Sequence, residues 1–103
     1  MPAIIDFTAS PKEDKRFRIT LLMDDGRTKS WDFGAEEGST YIDHADPIKR
    51  ENYLKRHLAN PTERHRIENL VPSAALFSAV LLWGNSPDLT ENVIWLQKAF
   101  NKK

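Results

Sequence analysis

The chain has 103 residues, with 15 Lys plus Arg balancing 15 Asp plus Glu, 40% hydrophobic residues and no cysteine. That length and composition fit one globular domain with a single core and are not those of a disordered chain. Zero net charge removes any whole-molecule attraction to nucleic acid or anionic membrane, and the lack of cysteine excludes disulfides, thiolate catalysis and Cys-ligated zinc.

The N-terminal segment MPAIIDFTAS has no basic leader followed by an apolar run, so no secretion signal is expected. Ala3, Ile5 and Phe7 alternate with more polar neighbours and predict a first strand. Ser10 to Asp14 is a loop by composition. Phe17, Ile19, Leu21 and Met23 then alternate with Arg16, Arg18 and Thr20, and a third run carries Trp31 and Phe33 between Ser30 and Asp32. A two-residue Asp25-Gly26 turn would pair Thr20 with Trp31 and put the aromatics on the charged face. A three-residue loop, Asp24-Asp25-Gly26, pairs Ile19 with Trp31 and Phe17 with Phe33, collecting the apolar groups on one side. A one-residue slip reverses every side chain, so burial selects the three-residue form, with left-handed Gly26 closing a type I turn. The prediction is a three-stranded meander over residues 2–34.

Residues 35–46 have no helical period and are predicted to be an ordered loop. Asp46 before Pro47 is a helix start, a capping carboxylate with proline in the first turn. The helix runs over 47–59, with Tyr53, Leu54, His57 and Leu58 on one side. Asn60-Pro61 repeats the start, and Glu63 is placed for a capping box. Pro72 closes that helix. Residues 73–83 are apolar nearly all round and predict a buried helix with Gly84 as its cap. The run is interrupted by Ser78 and is far short of the ~20 residues of a membrane span. Ser86-Pro87 is predicted to start the last helix, in which Leu89, Val93, Leu96 and Phe100 share one stripe. The helical part thus covers 47–101, and the termini, chiefly 101–103, are expected to fray.

The densest chemical cluster is Asp43-His44-Ala45-Asp46, below Ser39, Thr40 and Tyr41. Two carboxylates and an imidazole can hold a divalent metal or polarise a nucleophile. The stronger reading is structural: Gly38, Asp43, His44 and Asp46 shape the loop and cap the next helix. His44, His57 and His65 have no metal-site spacing, and His57 is expected half-buried and hydrogen-bonded. Acids gather in 24–46, including Glu36 and Glu37, and bases in 47–66. Lys49, Lys55, Arg56, Arg64 and Arg66 are therefore candidate nucleic-acid contacts. Ile94 and Trp95 lie off the buried stripe, and with Trp83 they form a candidate partner surface.

Phe33-Gly34, the string Gly38 to His44, Asp46, Lys49-Arg50, Tyr53 and Arg56-His57, and then Pro72 to Ser78 and Leu81 to Gly84, form a recognisable set. Over roughly residues 15–100 the chain resembles a group of small proteins of nucleocytoplasmic large DNA viruses, of the phycodnavirus, mimivirus and marseillevirus lineages. The resemblance implies a viral protein of the host cytoplasm, viral factory or virion; that group has no assigned enzymatic activity, so the resemblance names a setting more than a mechanism. The expected fold is α+β, a small antiparallel sheet packed on about four helices. The expected function is a non-enzymatic interaction or structural protein, a homodimer or adaptor. The alternative is a nucleic-acid-binding accessory protein. No catalytic residue, metal, cofactor or membrane association is expected.

Overall fold

Three antiparallel strands form one sheet in the order β1–β2–β3: β1 is Ala3–Ala9, β2 Lys15–Leu22 and β3 Thr28–Ala35. The computed structural model describes residues 2–35 and 38–102; Glu36, Glu37 and Lys103, which entered the reading above, lie outside the described residues. Phe17 pairs with Phe33 and Ile19 with Trp31, the register that burial requires. Met23 N–H donates to the Arg27 carbonyl at 2.8 Å and Gly26 N–H to the Met23 carbonyl at 3.0 Å, which closes the loop over 24–26. Gly26 has φ +85°, the left-handed geometry that this three-residue loop demands.

The two faces of the sheet differ as the alternation dictates. On the inner face, Phe17 and Phe33 lie 6.0 Å apart between ring centroids, and Phe33 and Trp31 reach Phe77 at 5.7 and 5.4 Å. On the outer face, Arg18 lies opposite Asp32 and donates to it from Nε at 3.0 Å and Nη2 at 3.1 Å. Ser10 Oγ adds a 2.7 Å bond to the same carboxylate. Arg18 first, and then Ser10, hold the Asp32 carboxyl down at about 2.

β1 departs from simple alternation. A bulge between Ile4 and Asp6 lets Ile4 and Phe7 both face the core, and it leaves Ile5 53% exposed. The alternation of Ala3, Ile5 and Phe7 thus marks a strand, as expected, but not one buried face: one extra residue shifts the period by one. Ile4 N–H also donates to Gln97 Oε1 at 2.7 Å, which ties the bulge to the last helix.

The helical part begins earlier than expected. The segment predicted as a loop over 35–46 contains α1, Tyr41–His44, because the Asp43 carboxylate accepts from the Thr40 backbone N–H at 2.8 Å. Asp46 caps α2, Pro47–Leu58, accepting from the Ile48 and Lys49 N–H groups at 2.9 and 3.3 Å. Asn60 caps α3, Pro61–Glu68, in the same way. Glu63 does not complete a capping box there; its carboxylate meets His57 Nδ1 at 2.7 Å instead.

The apolar run after Pro72 is not one α-helix. It is α4, Ala74–Phe77, followed by a π-helical turn over Ser78–Leu82, marked by Trp83 N–H donating to the Ser78 carbonyl at 3.1 Å. A run apolar on every side has no period from which to tell the wider turn from an α-turn. α5 covers Leu89–Asn101 and starts two residues after Pro87, with Asp88 as its cap, because residues 84–88 wrap around Asn92. α4, the π turn and α5 supply Leu76, Phe77, Leu81, Leu82, Leu96 and Phe100 to the core, against Ile19, Leu21 and Phe33 of the sheet. Each such side chain contributes about 1.5–3 kcal/mol by leaving water. The architecture is α+β, with five α-helices among the described residues where about four helices were expected; α1 is the addition.

Candidate functional site

Two surfaces stand apart from this packing, and the first is the outer face of α5. Trp95 and Ile94 are 42% and 50% exposed, although Leu96 and Phe100 on the same helix are fully buried. Glu91 and Lys98 are also exposed, so Glu91, Ile94, Trp95 and Lys98 make one stripe at helical positions i, i+3, i+4 and i+7. Beside it lies a shallow hollow of about 120 Å³ whose walls include Leu54, Ile67, Val80 and Trp95.

Trp83, the third candidate for that surface, lies elsewhere and is half-buried. Its ring stacks on Tyr53 at 4.3 Å and 6° and meets His44 at 5.4 Å, while Tyr53 meets His57 at 4.1 Å. The column continues from His44 to Tyr41 at 6.3 Å. Trp83 is therefore packing that joins α1, the π turn and α2. Burial, and then the nearby Glu63 carboxylate, push the Tyr53 hydroxyl up to about 12.

The second surface is a cleft of about 660 Å³ between the end of the sheet and α2, α3 and α4. Its lining includes Lys15, Arg56 and Arg66, with Ser39, Tyr53 and Trp83. Among the described residues none of these three cations has an ion-pair partner. The other basic candidates do not join them. Lys55 pairs with Glu51 at 3.6 Å and Arg64 with Glu68 at 2.7 Å, both one turn apart on exposed helix surface. Lys49 is exposed near the start of α2 and is not part of the cleft wall. The five candidates thus divide into two that share a cleft and three that do not.

In the Asp43–Asp46 cluster each group is engaged by the fold. Arg16 Nη1 and Nη2 donate to the two Asp43 oxygens at 2.8 and 3.1 Å, and the Thr40 hydroxyl donates at 2.8 Å. The Arg16 guanidinium is the main reason the Asp43 carboxyl is held down at about 2. His44 Nδ1 accepts from the Asp46 N–H at 2.9 Å, and its buried Nε2 has no hydrogen-bond partner. Gly38 N–H turns back to the Ala35 carbonyl at 3.2 Å. Among the described residues no three His, Asp or Glu side chains are grouped to hold a metal ion. Nor is any helix among them long and apolar enough to cross a membrane.

Sequence reasoning missed Arg16, Arg50 and Asn92. Arg50 Nε donates to the carbonyls of Trp83 and Gly84 at 3.1 and 2.7 Å. Asn92 Nδ2 donates to the carbonyls of Leu81 at 3.0 Å and Ser86 at 2.7 Å, and Oδ1 accepts from Ser86 N–H at 3.1 Å. A signal for Asn92 existed: it lies four residues before Leu96 and eight before Phe100, a polar residue on the buried stripe.

A family model described as "Family of unknown function (DUF5754)" matches residues 5–57. The chain belongs to that family. No curated protein and no solved structure matches the chain. The part matched to DUF5754 takes in β2, β3, α1 and most of α2, so it includes Arg16, Asp43, Tyr53, Arg56 and His57. Glu63, Arg66, Trp83 and the whole of α5 lie beyond it.

Proposed function

We propose that this DUF5754 chain is a non-enzymatic interaction protein that works as a homodimer joined through the outer face of α5. One observation carries the reading: the stripe Glu91, Ile94, Trp95, Lys98 is exposed and complementary to itself. If two copies of α5 cross antiparallel about a two-fold axis between positions 94 and 95, Ile94 of each copy meets Trp95 of the other. Glu91 of each then faces Lys98 of the other. An interface of this kind, the same patch on both subunits, is what closed two-fold symmetry needs. The apolar pair sits at the centre and the charges at the rim, where opposite signs fix the register and like signs would repel strongly. Antiparallel helix dipoles add a favourable term. The hollow beside Trp95 gives the indole a wall to pack on.

The resemblance of residues 15–100 supports a setting in the host cytoplasm, viral factory or virion of a large DNA virus, with the dimer as a structural or adaptor unit. Replacing Trp95 with Glu tests the reading. Light scattering at micromolar concentration should give twice the chain mass for the unmodified protein and the single-chain mass for Trp95→Glu, with an unchanged circular-dichroism spectrum. A single-chain mass for the unmodified protein across that range contradicts it.

A further inference from the structure

The cleft between the sheet and α2–α4 is not used by that dimer, and it has a chemistry of its own. Lys15 reaches it from the start of β2, Arg56 from the C-terminal half of α2 and Arg66 from the end of α3. Among the described residues, five basic groups elsewhere are paired, Arg16 with Asp43, Arg18 and Lys12 with Asp32, Lys55 with Glu51 and Arg64 with Glu68; the cleft differs in setting three cations without an ion pair along one concave wall. Two carboxylates also line the cleft. Glu63 is held by His57 Nδ1, and Asp14 stands beside Lys15 and offsets one charge. Among the described lining residues three cations face two carboxylates, and a concave wall concentrates that field.

The aromatic wall says what the ligand is not. Tyr53 lies between Trp83 and His57, and Trp83 between Tyr53 and His44. Tyr53 has a ring neighbour at close range in both Trp83 and His57, so its own ring is not offered to a planar base. Ring edges carry the positive part of the aromatic quadrupole and suit an anion. Two guanidinium forks, one ammonium and the Ser39 hydroxyl are the donor set of a phosphate site.

We propose that this cleft binds a phosphate-bearing ligand through Lys15, Arg56 and Arg66, recognising the anion and not the group attached to it. The phosphate can come from a free oligophosphate compound or from the backbone of a single-stranded nucleic acid, and two probes separate these sources. The full chain is titrated with inorganic pyrophosphate and, separately, with a short single-stranded oligonucleotide, following amide shifts by NMR. Saturable shifts clustered at residues 15, 38–40, 56–66 and 78–83 are expected with one probe or both. Arg56→Gln/Arg66→Gln should weaken that binding about tenfold or more, since each arginine supplies charged hydrogen bonds. Lys15→Gln, on a different element, should weaken it in the same direction. Lys55→Gln/Arg64→Gln, outside the cleft, should change it less than about twofold. Saturation by pyrophosphate points to a free oligophosphate, and saturation by the oligonucleotide alone points to a strand. Failure of both probes to saturate, or equal loss in the outside variant, overturns the proposal. The monomeric Trp95→Glu variant should bind as the unmodified chain does, so the two proposals can fail separately.

Discussion

The β2–β3 hairpin and the stretch from Ser78 to Asn92 are both packed on the core, but they are held in opposite ways. In the hairpin, every apolar contact has a neighbour that repeats it. Phe17, Ile19, Leu21 and Phe33 face one way, and Arg18–Asp32 and Thr20–Ser30 pair on the other face. The second stretch bends from a π turn into α5 around a single buried amide. Asn92 is 2% exposed and bonds Leu81 and Ser86, while Gly84 is so close that a Cβ there would overlap the Val80 carbonyl and the Asn92 side chain. Distributed apolar contacts leave no polar group unpaired when one is removed, and the register of the rest still holds. A single polar pivot loses its whole function at once, because the groups it satisfied are left buried and unpaired.

That contrast can be broken most sharply at the pivot. Asn92→Ala leaves the Leu81 carbonyl and both Ser86 backbone groups without their partner, and it should cost about 3 kcal/mol or more. Chemical denaturation checks this, and a cost below about 1 kcal/mol would mean that the bend is not held by the amide. In the hairpin the matching test is the turn. Gly26→Ala forces a side chain into the left-handed region but touches nothing, and it should cost about 1 kcal/mol with the register intact. Cross-strand NOEs between residues 17 and 33 would report a slip.

A smaller effect is expected at the edge of the hairpin, where Arg16 of β2 clamps α1 through Asp43. The Asp43 carboxyl is depressed in the folded chain, to about 2. Its contribution is present above the unfolded carboxyl value near 4 and is lost as pH falls toward about 2. Side chains this exposed are screened, so Asp43→Asn should cost less than about 1 kcal/mol at neutral pH. It should also flatten the acid decline of the melting temperature between about pH 4 and pH 2. An unchanged acid limb would show that the Arg16 clamp adds nothing to stability.

The same contrast explains what could be read from the residues alone. Alternation and one glycine determine the hairpin, since only one register puts Phe17, Ile19, Trp31 and Phe33 together. Asp46-Pro47 and Asn60-Pro61 announce two helices by their own backbone chemistry. The π turn, the bulge at Ile4–Asp6 and the start of α5 were not legible, because each is set by a distant partner: Asn92, Gln97 or Arg50. The candidate surfaces were legible in part. Trp95 and Ile94 stand off the buried stripe and are exposed as that position predicts, whereas Trp83 is taken up by Tyr53 and His44. The basic run 49–66 looked like one face, but a helix ending at residue 58 and another starting at 61 send its members apart. Only folding brings Lys15 beside Arg56 and Arg66.

The central claim is that α5 pairs with itself, and a charge exchange tests it most directly. Glu91→Lys should place two lysines opposite each other at both ends of the crossing and shift the solution mass to that of a single chain. Adding Lys98→Glu to the same chain restores opposite charges in a two-fold pair, and the mass should return to that of two chains. A double variant that stays single while Glu91→Lys does, or a mass that ignores both changes, contradicts the pairing.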